Sequence, residues 1–235
     1  MNTIGNQKTP EPETRNARGF TLIELLVVIS IIGVLAGFTI PVLMSVKRQQ
    51  YIKVARAELE QLQTALENYK AKYGVYPPSN KSNPKINDLF YELIGTTTPD
   101  KGSTYQTLDG FSTIPVADLT NTFNVSGIIN CTKGSAEDSV QAENFLSGLK
   151  SNRIGLDTNT PSYPPTPVYL LVTSVGGPDQ TYQPLGGAGI NPFRYLNPGT
   201  NNPGSYDLWV QLVIGGKTNL ICNWSKQVLF NSPLP

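Results

Sequence analysis

The chain has 235 residues, of which 39% are hydrophobic and only 15% charged, and its formal net charge is +1. That near-neutral balance excludes attraction to nucleic acid through bulk charge. The complete lack of histidine removes the commonest general base and the commonest metal ligand, which argues against an enzyme.

Residues 1–19 are polar and hold Lys8, Glu11, Glu13, Arg15 and Arg18. From Phe20 to Val46 the only ionisable residue is Glu24. As a helix rising ~1.5 Å per residue, this run reaches ~40 Å, enough to cross a hydrocarbon core of ~30 Å. A secretory signal has an apolar core of only ~7–15 residues followed by a small-residue cut site. Here the run is longer and that site is missing, so apolar length alone predicts an uncut signal anchor. Two details argue otherwise. The boundary reads Arg18-Gly19-Phe20-Thr21-Leu22-Ile23-Glu24, and a carboxylate sits inside the apolar run. An ionised side chain at bilayer depth costs roughly 3 kcal/mol and calls for a cationic partner. Arg15 and Arg18 place the amino terminus in the cytoplasm by the positive-inside tendency. Further along, Gly33, Gly37 and Pro41 weaken the helix, because Pro41 cannot donate to the Gly37 carbonyl and glycine is a poor helix former. Gly33 and Gly37 also form a GxxxG, a weak signal by itself.

Residues 18–46 resemble the leader and first helix of type IV prepilins and type II secretion pseudopilins. The resemblance implies that a prepilin peptidase/methyltransferase cuts between Gly19 and Phe20 and that Phe20 becomes the N-methylated first residue. It implies that Glu24, fifth in the processed chain, pairs with the new terminal amine of a neighbouring subunit during assembly. It also implies that the helix can unwind in the filament between Gly33 and Pro41.

Lys47 and Arg48 end the apolar run. Ile52, Ala55, Leu59, Leu62, Leu66, Tyr69 and Tyr73 then recur at spacings of three and four, one apolar stripe on a helix over 47–73. Gly74 and Pro77-Pro78 stop it near Tyr73. Ile86–Ile94 predicts a short helix. Residues 95–133, rich in Thr, Ser, Gly and Asn, predict loops with one or two short strands. Ser135-Ala136-Glu137-Asp138 predicts an N-cap and acidic first turn for a helix to about Lys150. The proline-rich stretch 157–167 is a connector.

Strands are predicted at 168–173, 193–196, 206–214 and 218–222, the last two forming a hairpin around Gly215-Gly216-Lys217. Short antiparallel strands on one long helix give an α+β fold. Gly186-Gly187-Ala188-Gly189 lacks a following Lys-Ser/Thr and predicts a turn, not a phosphate loop. Cys131 and Cys222 are either a disulfide or two separate buried thiols.

The carboxyl-terminal motifs Asn191-Pro192-Phe193-Arg194-Tyr195, Ser205-Tyr206-Asp207-Leu208-Trp209 and Asn223-Trp224 look like the end of major pseudopilins. The resemblance implies a pilin-like fold: leader 1–19, transmembrane assembly helix 20–46, and a periplasmic headpiece 47–235 with its strands in 168–224. Residues 95–165 have no counterpart and read as an insertion. Major pseudopilins often hold calcium in their carboxyl-terminal loop. Calcium takes six to eight oxygens, and here the acids expected between the hairpin glycines and Asn223-Trp224 are absent, leaving Asp207 alone, so no metal or other cofactor is expected.

The expected partners are copies of the chain, other pseudopilins, the peptidase and the inner-membrane assembly platform of a secretion system. The expected place is the bacterial inner membrane, single-pass with a cytoplasmic amino terminus, and the periplasmic filament after assembly. The alternatives are a type IV pilus subunit and a membrane-anchored periplasmic binding protein.

Overall fold

The computed structural model describes residues 19–100, 102–132, 140–160, 166–175 and 182–231, with the side chains of 39–44 also outside the described set. The fold is α+β, and the chain divides into two compact units, Met1–Val46 and Lys47–Pro235.

Helix α1 spans Leu22–Tyr73. Its backbone stays helical through Gly33, Gly37 and Pro41, so these residues leave the helix unbroken in this structure. Among the described residues no helix is long and apolar enough to cross a membrane. The described apolar side chains at the head of α1 stop at Phe38, short of the ~20 residues a span needs. The expected crossing over 20–46 depends on 39–44, which lie outside the described side chains.

Within the second unit the predicted stripe is the core face of α1. Ile52, Ala55, Leu59, Leu62, Leu66 and Tyr69 are buried in one cluster with Leu208, Val210, Leu212 and Ile221 of the strands, and Tyr73 packs half-buried against it. The helix ends as its sequence predicts, with Gly74 at φ 75° donating to the Lys70 carbonyl at 2.8 Å. Basic residues flanking the stripe reach the last strands. Arg48 donates to Asn219 Oδ1 through Nε at 3.2 Å and Nη2 at 3.0 Å. Arg56 Nη1 donates to the carbonyls of Cys222 and Ser225, each at 3.0 Å.

Between these segments lies more structure than composition predicts. The short helix α2 (Leu89–Ile94) is narrower than the expected Ile86–Ile94. The Asn87 amide is drawn away to the carbonyls of Pro84 and Phe193, and Ile86 N–H closes a turn onto Asn83. The region expected to be mainly loops forms a four-stranded mixed sheet. Its order is β3 (Thr113–Pro115), β2 (Thr104–Thr107), β1 (Thr96–Thr97), β4 (Cys131–Thr132), with β1 and β4 parallel. The unpredicted helix α3 (Val116–Phe123) follows β3 and closes on Asn124 in the left-handed region.

The helix expected over Ser135–Lys150 is not found in its described part, because 140–150 is turn and irregular chain; residues 133–139 lie outside the described set. Its backbone groups are claimed from other elements. Ala142 N–H donates to Thr132 Oγ1, Glu143 N–H to Asn130 Oδ1 and Phe145 N–H to the Leu93 carbonyl.

Strand β6 (Val168–Leu171) pairs antiparallel with β5 (Ile154–Asp157), again unpredicted, in a two-stranded sheet of its own. The carboxyl-terminal sheet has the order β10 (Leu229–Phe230), β9 (Lys217–Cys222), β8 (Asp207–Ile214), β7 (Arg194–Leu196), all antiparallel. Ile214 pairs with Lys217 across Gly215-Gly216, whose φ values of 60° and 70° meet the demand of a two-residue type I′ turn for two positive angles. Along β8, Leu208, Val210, Leu212 and Ile214 join the main core. Trp209 between them joins a smaller cluster with Leu220 and Cys222, as a period of two requires.

Asp207 organises the loop before β8. Its Oδ2 accepts from Asn201 N at 2.8 Å and Nδ2 at 3.0 Å, and its Oδ1 from Asn202 N at 3.0 Å and Nδ2 at 3.1 Å. Gly199 lies so close that a Cβ there would stand 2.5 Å from Asp207 Oδ1 and 2.8 Å from its backbone nitrogen. Gly199→Ala is therefore expected to cost ~1–3 kcal/mol. A thermal melt within a few tenths of a kcal/mol of the parent would show that the Asp207 loop yields freely.

Candidate functional site

The amino-terminal end of α1 carries the residues singled out by sequence. Gly19, Phe20 and Thr21 precede the helix in exposed, non-helical chain, and nothing lies within 4 Å of where a Gly19 Cβ would stand.

Thr21 and Glu24 close on each other. Thr21 N–H and Oγ1 donate to Glu24 Oε2 at 2.9 and 2.7 Å, and Glu24 N–H donates back to Thr21 Oγ1 at 3.3 Å. This is a capping box, in which each side chain satisfies the other's otherwise orphaned backbone donor. The carboxylate also sits where the positive end of the helix dipole favours it. Thr21 is the residue that sequence reasoning missed, although the Thr-x-x-Glu spacing ahead of an apolar run was its signal.

From Phe20 to Phe38 every described large hydrophobic residue is exposed, Phe20 at 75% and Leu22 at 82%. Apolar surface this continuous is not stable in water and calls for lipid or neighbouring helices. Gly33 and Gly37 present open backbone, with nothing within 4 Å of either Cβ position.

The other singled-out residues lie in the second unit. Cys131 in β4 and Cys222 at the end of β9 are both buried, belong to different sheets and are not bonded to each other in this structure. Burial raises the Cys222 thiol above its ordinary value, against hydrogen bonds from the Ser225 and Trp224 backbone. Among the described residues no group of three His, Cys, Asp or Glu side chains could hold a metal ion. Asp207 spends both carboxylate oxygens on four Asn N–H groups.

The amino-terminal end of the described chain is thus an exposed Gly-Phe bond followed by an acid-capped apolar helix. The family described as the prokaryotic N-terminal methylation motif matches residues 14–40. Over its amino-terminal region the chain is similar to the type II secretion system core protein G of three bacteria. Identity is 36% over 69 residues for Pseudomonas aeruginosa, 29% of this chain and 49% of that protein. It is 43% over 68 residues for Escherichia coli, 29% and 47%, and 37% over 67 residues for Vibrio cholerae, 28% and 46%. The chain therefore spans about half the length of the curated relatives it matches. No solved structure matches it.

Proposed function

We propose that this chain is a structural, non-enzymatic subunit of a type II secretion pseudopilus, with a pilin-like fold. Residues 20–46 anchor it in the inner membrane, the headpiece lies in the periplasm, and it polymerises through the exposed face of α1 with copies of itself and related subunits. The assembly platform and the prepilin peptidase/methyltransferase are its other partners. One observation carries this reading: Glu24 is locked in a capping box directly behind the exposed Gly19–Phe20 bond, at the head of an uncovered apolar helix.

The chemistry follows from charge. Cutting at Gly19 creates an ammonium at Phe20, beside helix N–H groups that already repel a cation. In the unassembled chain Glu24 caps its own helix. On assembly its carboxylate answers the ammonium of a neighbour, and the two charges enter the apolar layer as a pair. Removing one member of such a pair costs several kcal/mol. The leader takes Lys8, Arg15 and Arg18 against Glu11 and Glu13, so its loss lowers the net charge from +1 to zero. Filament contacts then rest on apolar packing and on local pairs.

Intact mass of the purified protein is expected to show loss of residues 1–19 and one methyl on Phe20; a chain still beginning at Met1 would sink the reading. Glu24→Val is expected to insert normally but to lower filament yield at least tenfold. Glu24→Gln keeps an oxygen for the cap and loses only the charge, so it should fail in the same way. Normal assembly of Glu24→Gln would show that capping, not charge pairing, is what the acid supplies. Deletion is expected to block export of secreted enzymes; surface filaments lost with export intact would assign the chain to a type IV pilus instead.

A further inference from the structure

Among the described residues the second unit contains a buried cation with no carboxylate partner. Arg194 opens β7 and is only 2% exposed. Its Nη1 donates to the Pro192 carbonyl at 3.3 Å and its Nη2 to the Tyr182 hydroxyl at 2.6 Å, while the buried Nε has no acceptor. Among the described residues no carboxylate pairs with it; the ion pairs there are Lys72–Glu143 and Arg153–Glu58. Burial works against its charged form, and the neighbour that offsets this is the Tyr182 hydroxyl. A guanidinium cannot relieve such a position by losing its proton. A buried charge of this kind needs an anion.

Space for one adjoins it. Arg194 lines a cleft of about 350 Å³, within the range of small-ligand sites. Pro84, Pro184 and Trp209 supply apolar wall, and Lys85, its ammonium 3.3 Å from the Pro184 carbonyl, adds a second cation. The Trp209 indole N–H is also buried without an acceptor. The donors are held in place by a relay: Arg194 donates to Tyr182, whose hydroxyl donates to Gln211 Oε1 at 3.2 Å, and Gln211 Nε2 donates to Thr218 Oγ1 at 3.4 Å. Arg194 and Trp209 thus each bring to the cleft wall a side chain with one buried, unfilled N–H, Lys85 adds a second cation, and among the described lining residues there is no acidic side chain.

We propose that this cleft is a binding site for a carboxylate carried on an apolar group, with its oxygens on the Arg194 guanidinium and its apolar part against Trp209 and the two prolines. A planar two-oxygen anion matches the guanidinium fork. The apolar walls and the single buried guanidinium favour it over a phosphate dianion. The lining residues all belong to the second unit, and the proposal does not depend on the filament reading.

The test is fluorine NMR of 4-fluorobenzoate titrated with the full chain in non-ionic detergent, with 4-fluorobenzamide as the uncharged analogue. Benzoate is expected to broaden saturably and to bind at least tenfold tighter than the amide. Arg194→Met should weaken it at least tenfold, while leaving the ligand-free protein as stable as the parent or more so, an outcome that a purely structural arginine would not give. If Arg194→Met does not fold, Lys85→Gln at the rim should weaken benzoate at least threefold. N-acetyl-4-fluorophenylalanine separates the sources. Tighter binding than benzoate assigns a polypeptide carboxyl terminus, and weaker or equal binding assigns a small organic acid. Asp179 lies three residues before Tyr182 in sequence and outside the described residues, so Asp179→Asn is the control for an acid of the same chain. Binding that arises only in Asp179→Asn would give the guanidinium an acid of its own chain and overturn the proposal. Equal binding of acid and amide, or no binding, would overturn it as well.

Discussion

Glu58→Ala is expected to destabilise the second unit by ~3–5 kcal/mol, the typical consequence of removing one member of a buried ion pair. Glu58 lies on α1, 8% exposed, and its carboxylate collects the Thr173 hydroxyl at 2.7 Å together with the Ser174 N–H and hydroxyl. Arg153 Nε stands 3.7 Å from Glu58 Oε1, an ion pair too long for a hydrogen bond, and that Nε has no other acceptor. The guanidinium also donates to Gln61 Oε1 and to the Glu58 carbonyl. Burial lowers the Arg153 pKa and the charge of Glu58 holds it up. Alanine at 58 strands this cation and leaves the Thr173 and Ser174 donors without their acceptor. At ~2–4 °C per kcal/mol for a unit of this size, the melting temperature should fall by ~6–20 °C. Arg153→Met in the same chain should recover much of the loss, since the stranded charge then disappears. A drop below ~1 kcal/mol in the single variant would show that the cluster is wet enough to dispense with the acid.

The second large effect depends on pH. Asp88 immediately precedes α2 but makes no cap bond, and both its carboxylate oxygens are buried without a partner. Glu92, one turn on, accepts from the backbone N–H groups of Ile129 at 2.8 Å and Asn130 at 2.9 Å and from the Tyr69 hydroxyl at 2.8 Å. Burial raises the Asp88 carboxyl well above its ordinary 3.8, and the charge of Glu92 raises it further. Burial also pushes Glu92 from 4.5 up to about 7, against those three donors. Both acids are therefore held protonated by the fold at a pH where the unfolded chain releases the protons. Their contribution is intact below about pH 4 and is lost as pH rises through 7, because the unfolded state is increasingly favoured. Asp88→Asn removes one titrating group at little change of shape. It should raise stability by ~1–3 kcal/mol at pH 7.5, lose that advantage at pH 4, and flatten the fall in melting temperature between. An unchanged slope, or equal destabilisation at both pH values, would place the pH response elsewhere.

Legibility from sequence followed the range of the interactions. The stripe from Ile52 to Tyr73, its stop at Gly74 and the Gly215-Gly216 hairpin were all readable, because a periodic face or a demand for positive φ is a local property. Glu24 was readable as a charge out of place, and Thr21 could have been, since a capping box spans only four residues. Helix α3 was hidden by its Thr and Asn content, and β5 by a partner strand that begins eleven residues after it ends. The acidic start at Ser135-Ala136-Glu137-Asp138 misled because the described backbone beyond it is bonded to Asn130, Thr132 and Leu93.

The sequence by itself determined the amino-terminal pattern: a polar stretch ending at Gly19-Phe20, one acid in an apolar run, and a helix that continues into an amphipathic stripe. Those properties need only neighbours along the chain. Tertiary structure alone decided that Cys131 and Cys222 lie in different sheets, that Glu58 meets Arg153, that Asp88 is sealed in without a partner, and that Arg194 lines a cleft with no acid among its described residues. Each of these joins residues far apart in sequence, and the free energy of a buried charge is set by what folding brings beside it.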